Sequence, residues 1–213
     1  MSFIYSKEAH AELTKLLTTD RMTSYLIETK GDIPLAIRLY EKNTRLSEAM
    51  YGVLQGCEIA LRNSIHLNLT SAIGKQDWYD HIKLNHRENL MVGDAKLNLL
   101  RFKKKVIPGQ VISELTMGFW IRLMSPEYEK TLWVKHLHRA FPYYRKPDRV
   151  IIFARFDEIR RLRNRIAHHE PIFKIDGQKE YGKVMEAVGW LCPVTSAWID
   201  THNNYPRLVN FLR

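Results

Sequence analysis

The residues best suited to chemistry lie in one string, Arg163-Asn164-Arg165-Ile166-Ala167-His168-His169-Glu170-Pro171. It places guanidinium, carboxamide and imidazole groups close together. Arginine's planar fork matches phosphate oxygens, and an imidazole titrates near neutrality and can move a proton. Such a set can cut RNA without a metal, because RNA carries its own nucleophile in the 2′-hydroxyl. Asn164 and His168 are four apart and share a helix face, whereas Arg163 and His168 are five apart, about 140° round an ideal helix. Those two converge only where the helix end deforms. Pro171 is placed to cause that, since it pushes Glu170 out of helical geometry. His169 offers the same chemistry as His168. Sharing a face with Asn164 favours His168, which leaves His169 as a helix cap, an RNA contact or the replacement catalytic group.

Arg163 also falls among Ile152, Phe156, Ile159 and Ile166, an apolar stripe in which a guanidinium needs carboxylates, carbonyls or a bound anion around it. The plainer reading is an arginine-rich helix end with a histidine favoured by the helix dipole. Arg163 is then held by Glu170 or by a carboxylate of another helix. On spacing alone that reading leads, because an arginine and a histidine five apart recur by chance. Glu58, four residues before Arg62, makes a favourable ion pair on a helix surface.

Helical periodicity runs through nearly all of the chain that must position these groups. Ala9, Leu13, Leu16 and Leu17 predict a helix from Ser6 to about Tyr25. Asp32 ahead of Pro34 marks another helix start. Leu46, Met50, Val53, Cys57, Leu61, Ile65 and Leu69 trace one stripe to a helix end near Gly74. A weaker helix covers Arg87–Lys105 and stops before Pro108-Gly109. Helices over Val111–Met124 and Glu127–Phe141 divide at Ser125-Pro126. Asp148 caps the helix that carries the string, and Gln178 to Ile199 gives a last helix that Pro193 kinks or ends. No alternating strands flanked by hairpin turns occur, so the expected fold is all-α, a helical bundle.

The 213 residues can bury a core as one domain or two tightly packed ones. A formal charge of +10 favours a polyanionic partner over a membrane. Neither an apolar leader nor a bilayer-spanning run is present, which points to a cytoplasmic protein. Cys57 and Cys192 read as reduced core residues, and His136 and His138, two apart, make a poor metal pair. No metal or cofactor is called for. The lack of H-E-x-x-H, C-x-x-C, Walker-type and G-x-S-x-G motifs argues against zinc proteases, NTPases and α/β hydrolases. Arg101-Phe102-Lys103-Lys104-Lys105 and Tyr143-Tyr144-Arg145-Lys146 mix cations with aromatics, as RNA contacts do, although a charge run is more often a solvated face. Trp120, Trp133, Trp190 and Trp198 read as core or dimer-interface side chains.

The string from Arg163 to Pro171 resembles the signature of the Abi-like (abortive infection) branch of the HEPN superfamily: arginine, a polar residue that is often asparagine, then histidine after four to six intervening positions. Glu58-Ile59-Ala60-Leu61-Arg62-Asn63-Ser64-Ile65-His66, Gly118-Phe119-Trp120, and Thr131-Leu132-Trp133 before Ala140-Phe141-Pro142 are similar as well. The resemblance implies one HEPN-type domain over residues 1–213, of about six to eight helices, with residues 1–45 as a helical segment packed on the core. It implies a metal-independent endoribonuclease of a defence or toxin system, restrained by an antitoxin or set off by a phage-derived trigger. Arg163 would stabilise the charged transition state, His168 would move the proton, and Asn164 would orient one of them. Glu58 would position Arg163 or Arg62, with Arg62 on the RNA. Two motifs would face each other across a homodimer. Arg62-Asn63 followed by His66 lies outside the family spacing and is not a second motif. Two other readings stand beside this one: a non-catalytic helical RNA-binding or protein-interaction module, and a helical partner of a nucleotidyltransferase.

Overall fold

The computed structural model describes residues 3–211. The outermost residues of the expected 1–213 domain, Met1 and Ser2 at one end and Leu212 and Arg213 at the other, lie outside the described residues. Among those described there are ten α-helices and no strand. The all-α expectation therefore holds, and six to eight helices is too few, chiefly because several predicted helices break in two. The chain forms two compact units: Met1–Gly52 with Asn164–Tyr181 and Asn203–Arg213, and Val53–Arg163 with Gly182–His202.

The first unit contains α1 (Lys7–Leu17), α2 (Thr19–Glu28) and the start of α3 (Ile33–Ile73). Ser6 caps α1 by accepting the Ala9 N–H at 3.1 Å. Helix 6–25 does not run through, because Thr18 turns to φ +65° and becomes the cap of α2. Its carbonyl accepts the Met22 N–H at 3.1 Å. The Thr-Thr-Asp sequence is a capping signal, and here it outcompetes the apolar periodicity. Met22, Tyr25, Ala36 and Ile37 form this unit's buried cluster, with Leu13, Leu17 and Phe173 packed on it. Asp32 starts α3 by accepting the Leu35 N–H at 2.9 Å. Every residue of the predicted α3 stripe is buried, from Leu46 to Leu69. Gly74, at φ +77°, ends the helix as expected.

The second unit holds α4 (His86–Arg101), α5 (Pro108–Glu114) and α6 (Met117–Arg122). Helix α4 stops at Arg101 rather than Lys105. Lys103 takes φ +53°, and the N–H groups of Lys103 and Lys104 return to the Leu100 and Leu99 carbonyls at 3.0 and 2.8 Å. The helix expected over 111–124 is divided by extended backbone at Leu115 and Thr116. The helix expected over 127–141 is instead a chain of short turns: 3₁₀ at Pro126–Tyr128, π at Glu129–Trp133 and 3₁₀ at Leu137–Ala140. Tyr128, Leu132, Trp133, Leu137 and Phe141 are all buried there, so packing of large side chains overrides local helix preference.

A buried carboxylate in this unit was not foreseen. Glu88 accepts the Tyr128 hydroxyl at 2.6 Å and pairs with Arg122. Burial opposes its charge, but the hydrogen bonds from Tyr128 and Arg122 and the guanidinium's field prevail and hold its pKa below the ordinary carboxylate value.

Helix α7 (Arg149–Ala167) opens as expected, with Asp148 Oδ1 accepting the Val150 and Ile151 N–H groups at 2.7 and 3.2 Å. Pro193 ends the next helix, giving α8 (Gly177–Leu191) and α9 (Pro193–Thr201), and α10 (Tyr205–Phe211) follows. Cys57 is a core residue, whereas Cys192 is half-buried and caps α9. Trp120, Trp133 and Trp190 are buried, and Trp198 is 60% exposed. No helix of the described residues is long and apolar enough to cross a membrane.

Candidate active site

Ile152, Phe156, Ile159, Leu162 and Ile166 form the buried stripe of α7. Leu162 fills the place that spacing gave to Arg163. The arginine sits on the shoulder with 36% of its side chain exposed, so the penalty for burying a guanidinium in the core does not arise. Its Nε lies 3.6 Å from Glu58 Oε2. The other Glu58 oxygen accepts the Met117 N–H, the first amide of α6, at 3.1 Å. One oxygen is thus anchored by a helix N-terminus while the other faces the arginine. Arg62, the alternative partner, turns its Nε to Asn63 Oδ1 at 3.1 Å. His66 is occupied structurally: its Nδ1 accepts the Trp78 indole N–H at 3.0 Å. Burial, helped by the Arg62 charge, holds its pKa below the ordinary histidine value.

Asn164, His168 and His169 belong to the first unit. The half-buried Asn164 receives the His168 N–H on its carbonyl at 2.9 Å, so α7 remains regular through His168. Deformation comes one residue later, at His169, with φ +57°. The His169 and Glu170 N–H groups return to the Ile166 and Arg165 carbonyls at 3.0 and 2.8 Å, a Schellman closure with histidine in the left-handed position. The distortion expected of Pro171 therefore falls after His168. Arg165, rather than Arg163, takes Glu170 at 3.4 Å and the Pro171 carbonyl at 2.8 Å. Arg21 donates to the His169 carbonyl at 2.7 Å, and Asn43 Oδ1 pins the following chain by accepting the Ile172 and Phe173 N–H groups at 2.7 and 3.1 Å. Both imidazoles are exposed.

No family model, curated protein or solved structure matches this chain.

The basic candidates all lie in the second unit. Arg101, Lys103, Lys104 and Lys105 are exposed where α4 ends, beside Phe102 at 67% exposure, and Lys104 is 3.8 Å from Glu114. Arg145 and Lys146 are exposed in the loop before α7, and Arg62 is half-buried on α3. Among the described residues no group of three or more His, Cys, Asp and Glu side chains is placed to hold a metal ion.

Sequence reasoning missed an apolar groove of about 500 Å³ in the second unit, bordered by Ile59, Leu67, Leu191, Trp198 and Ile199. Its signal was available: Gly56, Ala60 and Ser64 step along α3 at four-residue intervals and leave a trough. At Gly56 a Cβ would meet Ile199 Cδ1 at 2.6 Å.

Proposed function

We propose that this chain is a metal-independent endoribonuclease of the Abi-like HEPN kind, acting on RNA as a homodimer in the cytoplasm. The observation that carries the reading is the Glu58 carboxylate set against a half-exposed Arg163, at the head of a string whose next turn exposes His168. In this reading Arg163 grips the scissile phosphate and offsets the charge that builds on its oxygens. His168 accepts the 2′-hydroxyl proton as O2′ bonds to phosphorus. The P–O5′ bond breaks, and the leaving oxygen takes a proton from an imidazolium. The products are a 2′,3′-cyclic phosphate and a 5′-hydroxyl end.

The proposed enzyme is a homodimer, as the motif's likeness implies. In this reading two copies of the motif, one from each protomer, supply the groups of one composite site. Asn164 orients the imidazole, and His169 serves the helix end. Arg62, Arg101, Lys103, Lys104, Lys105, Arg145 and Lys146 are the proposed RNA contacts. The biological setting that fits is abortive infection or a toxin system, with an antitoxin or phage-derived trigger as regulator. The exposed cations and Phe102 also suit a second reading, a non-catalytic RNA-binding module; a helical partner of a nucleotidyltransferase is the third.

Incubating wild-type and His168→Ala protein with total RNA in EDTA, and mapping the ends, tests the proposal. Cyclic-phosphate ends from the wild type alone are expected. Normal cutting by His168→Ala moves the role to His169. Intact RNA with the wild type, free of any regulator, overturns the enzyme in favour of a binding module.

A further inference from the structure

Helix α4 carries apolar side chains on two opposite faces. Val92, Ala95 and Leu99 are buried in the second unit. Leu90, Leu97 and Leu100 fall with Gly93 inside an arc of about 80° on the other side of the helix. The three leucines are 53%, 61% and 60% exposed, and a Cβ added at Gly93 would meet nothing within 4 Å, so this face lies open. Phe102, Val106 and Ile107 follow directly and are exposed as well. Arg101, Lys103, Lys104 and Lys105 are interleaved with them, all exposed. Asp94 is the one exposed carboxylate of α4, and Glu114 lies 3.8 Å from Lys104. We propose that this surface docks the protein on an anionic phospholipid bilayer. The leucines and Phe102 enter the boundary between headgroups and acyl chains, and the four cations meet the lipid phosphates.

Charge and apolar surface together select the partner. The net charge of +10 by itself favours a polyanion over a membrane, and the leucine stripe reverses that for this one surface. Interfacial helices pair leucine and phenylalanine with lysine and arginine, and a cluster of about four or more cations beside such a helix attracts anionic headgroups. RNA accounts for the cations but not for the leucines. A nucleotide strand is held by cations with aromatic stacking platforms, and Phe102 is the one aromatic ring among these residues. Lipid phosphates and RNA thus compete for Arg101 and the three lysines, and the leucines separate the two ligands. A second copy of the chain suits the leucines but not the charges. Lys83 and Arg87, both exposed, mark the other end of the stripe, so parallel and antiparallel pairing alike set cations against cations. Docking of this kind uses no spanning helix, and the described residues form none.

Flotation of the full chain with vesicles of phosphatidylcholine, alone or mixed with phosphatidylserine, tests this. The wild type is expected to bind the anionic vesicles at least about tenfold more tightly than the neutral ones, with the gap narrowing as salt rises. A Leu97→Gln/Leu100→Gln variant exchanges exposed side chains for another good helix former and keeps Tm. It is expected to lose anionic-vesicle binding by about tenfold or more while its RNA affinity is unchanged. Lys103→Gln/Lys104→Gln/Lys105→Gln is expected to lose vesicle binding as well. A wild type that leaves anionic vesicles unbound overturns the proposal, and so does a leucine variant that binds them as the wild type does. Vesicle binding unaltered in the leucine variant, with RNA affinity or dimerisation lost instead, assigns the stripe to RNA or to a second copy. Cyclic-phosphate ends from a protein that ignores vesicles remove this inference alone, whereas vesicle docking by a protein that leaves RNA intact removes the ribonuclease reading alone.

Discussion

Glu58 makes two contacts of different kinds, and they can be separated by one atom. Glu58→Gln keeps an oxygen for the Met117 N–H but removes the charge that faces Arg163. Because the pair is partly exposed, stability should fall by no more than about 1 kcal/mol. If Glu58 positions Arg163, RNA cleavage should fall by about tenfold to a hundredfold, as for other small misplacements of a reacting group. A cleavage rate and a melting curve on the same sample check both halves. Full activity with an unchanged Tm would make Glu58 an ordinary ion-pair partner. The sequence put Glu58 and Arg163 among the candidates but did not pair them uniquely. Their separation along the chain is large, and only the placement of Met117 at the start of α6 turns the carboxylate to this arginine rather than to Arg62.

Helix ends are where expectation and structure part. Starts were legible wherever a side chain caps directly, as at Ser6, Asp32 and Asp148. Stops were not, because three of them close on residues that carry side chains. Lys30, Lys103 and His169 hold φ between +53° and +57°, a region that glycine enters without penalty. Gly74 announced its helix end in the expected way, and so did Pro193 for α8. The turns of 126–140 were illegible for another reason: buried Tyr128, Leu132 and Trp133 show an apolar spacing that suits a helix, yet they pack in tighter and wider turns. His169→Gly should relieve the left-handed strain and stabilise the protein by up to about 1 kcal/mol, read as a rise in Tm. The same variant sorts the two histidines. Retained cleavage leaves His168 in the proton-transfer role, and lost cleavage at a higher Tm transfers that role to His169.

At the scale of the whole molecule, acid should act in two stages. His66 is neutral in the fold and titrates below the ordinary 6.5. Above that pH neither the folded nor the unfolded chain is protonated there, and stability is full. As pH falls below 6.5 the unfolded chain gains the proton first, so stability declines until the folded imidazole also protonates and the Trp78 bond is lost. Glu88 acts later. Its stabilising contribution is present above the ordinary 4.5 and disappears as pH falls through its lowered value. Melting curves from about pH 8 to about pH 2 should therefore be flat down to about 6.5 and then fall in steps, the Glu88 step coming below about 4.5. His66→Gln, which can still accept the indole N–H, should flatten the first step; an unchanged first step would assign it to another group. The distribution of tryptophans has an optical consequence. Of the five, Trp78, Trp120, Trp133 and Trp190 are shielded, and Trp198 alone meets water, on the rim of the apolar groove. A dissolved quencher such as acrylamide will darken that one emitter against a steady background, so the intrinsic light of the native protein reports, without a label, whether anything has come to lie across the groove.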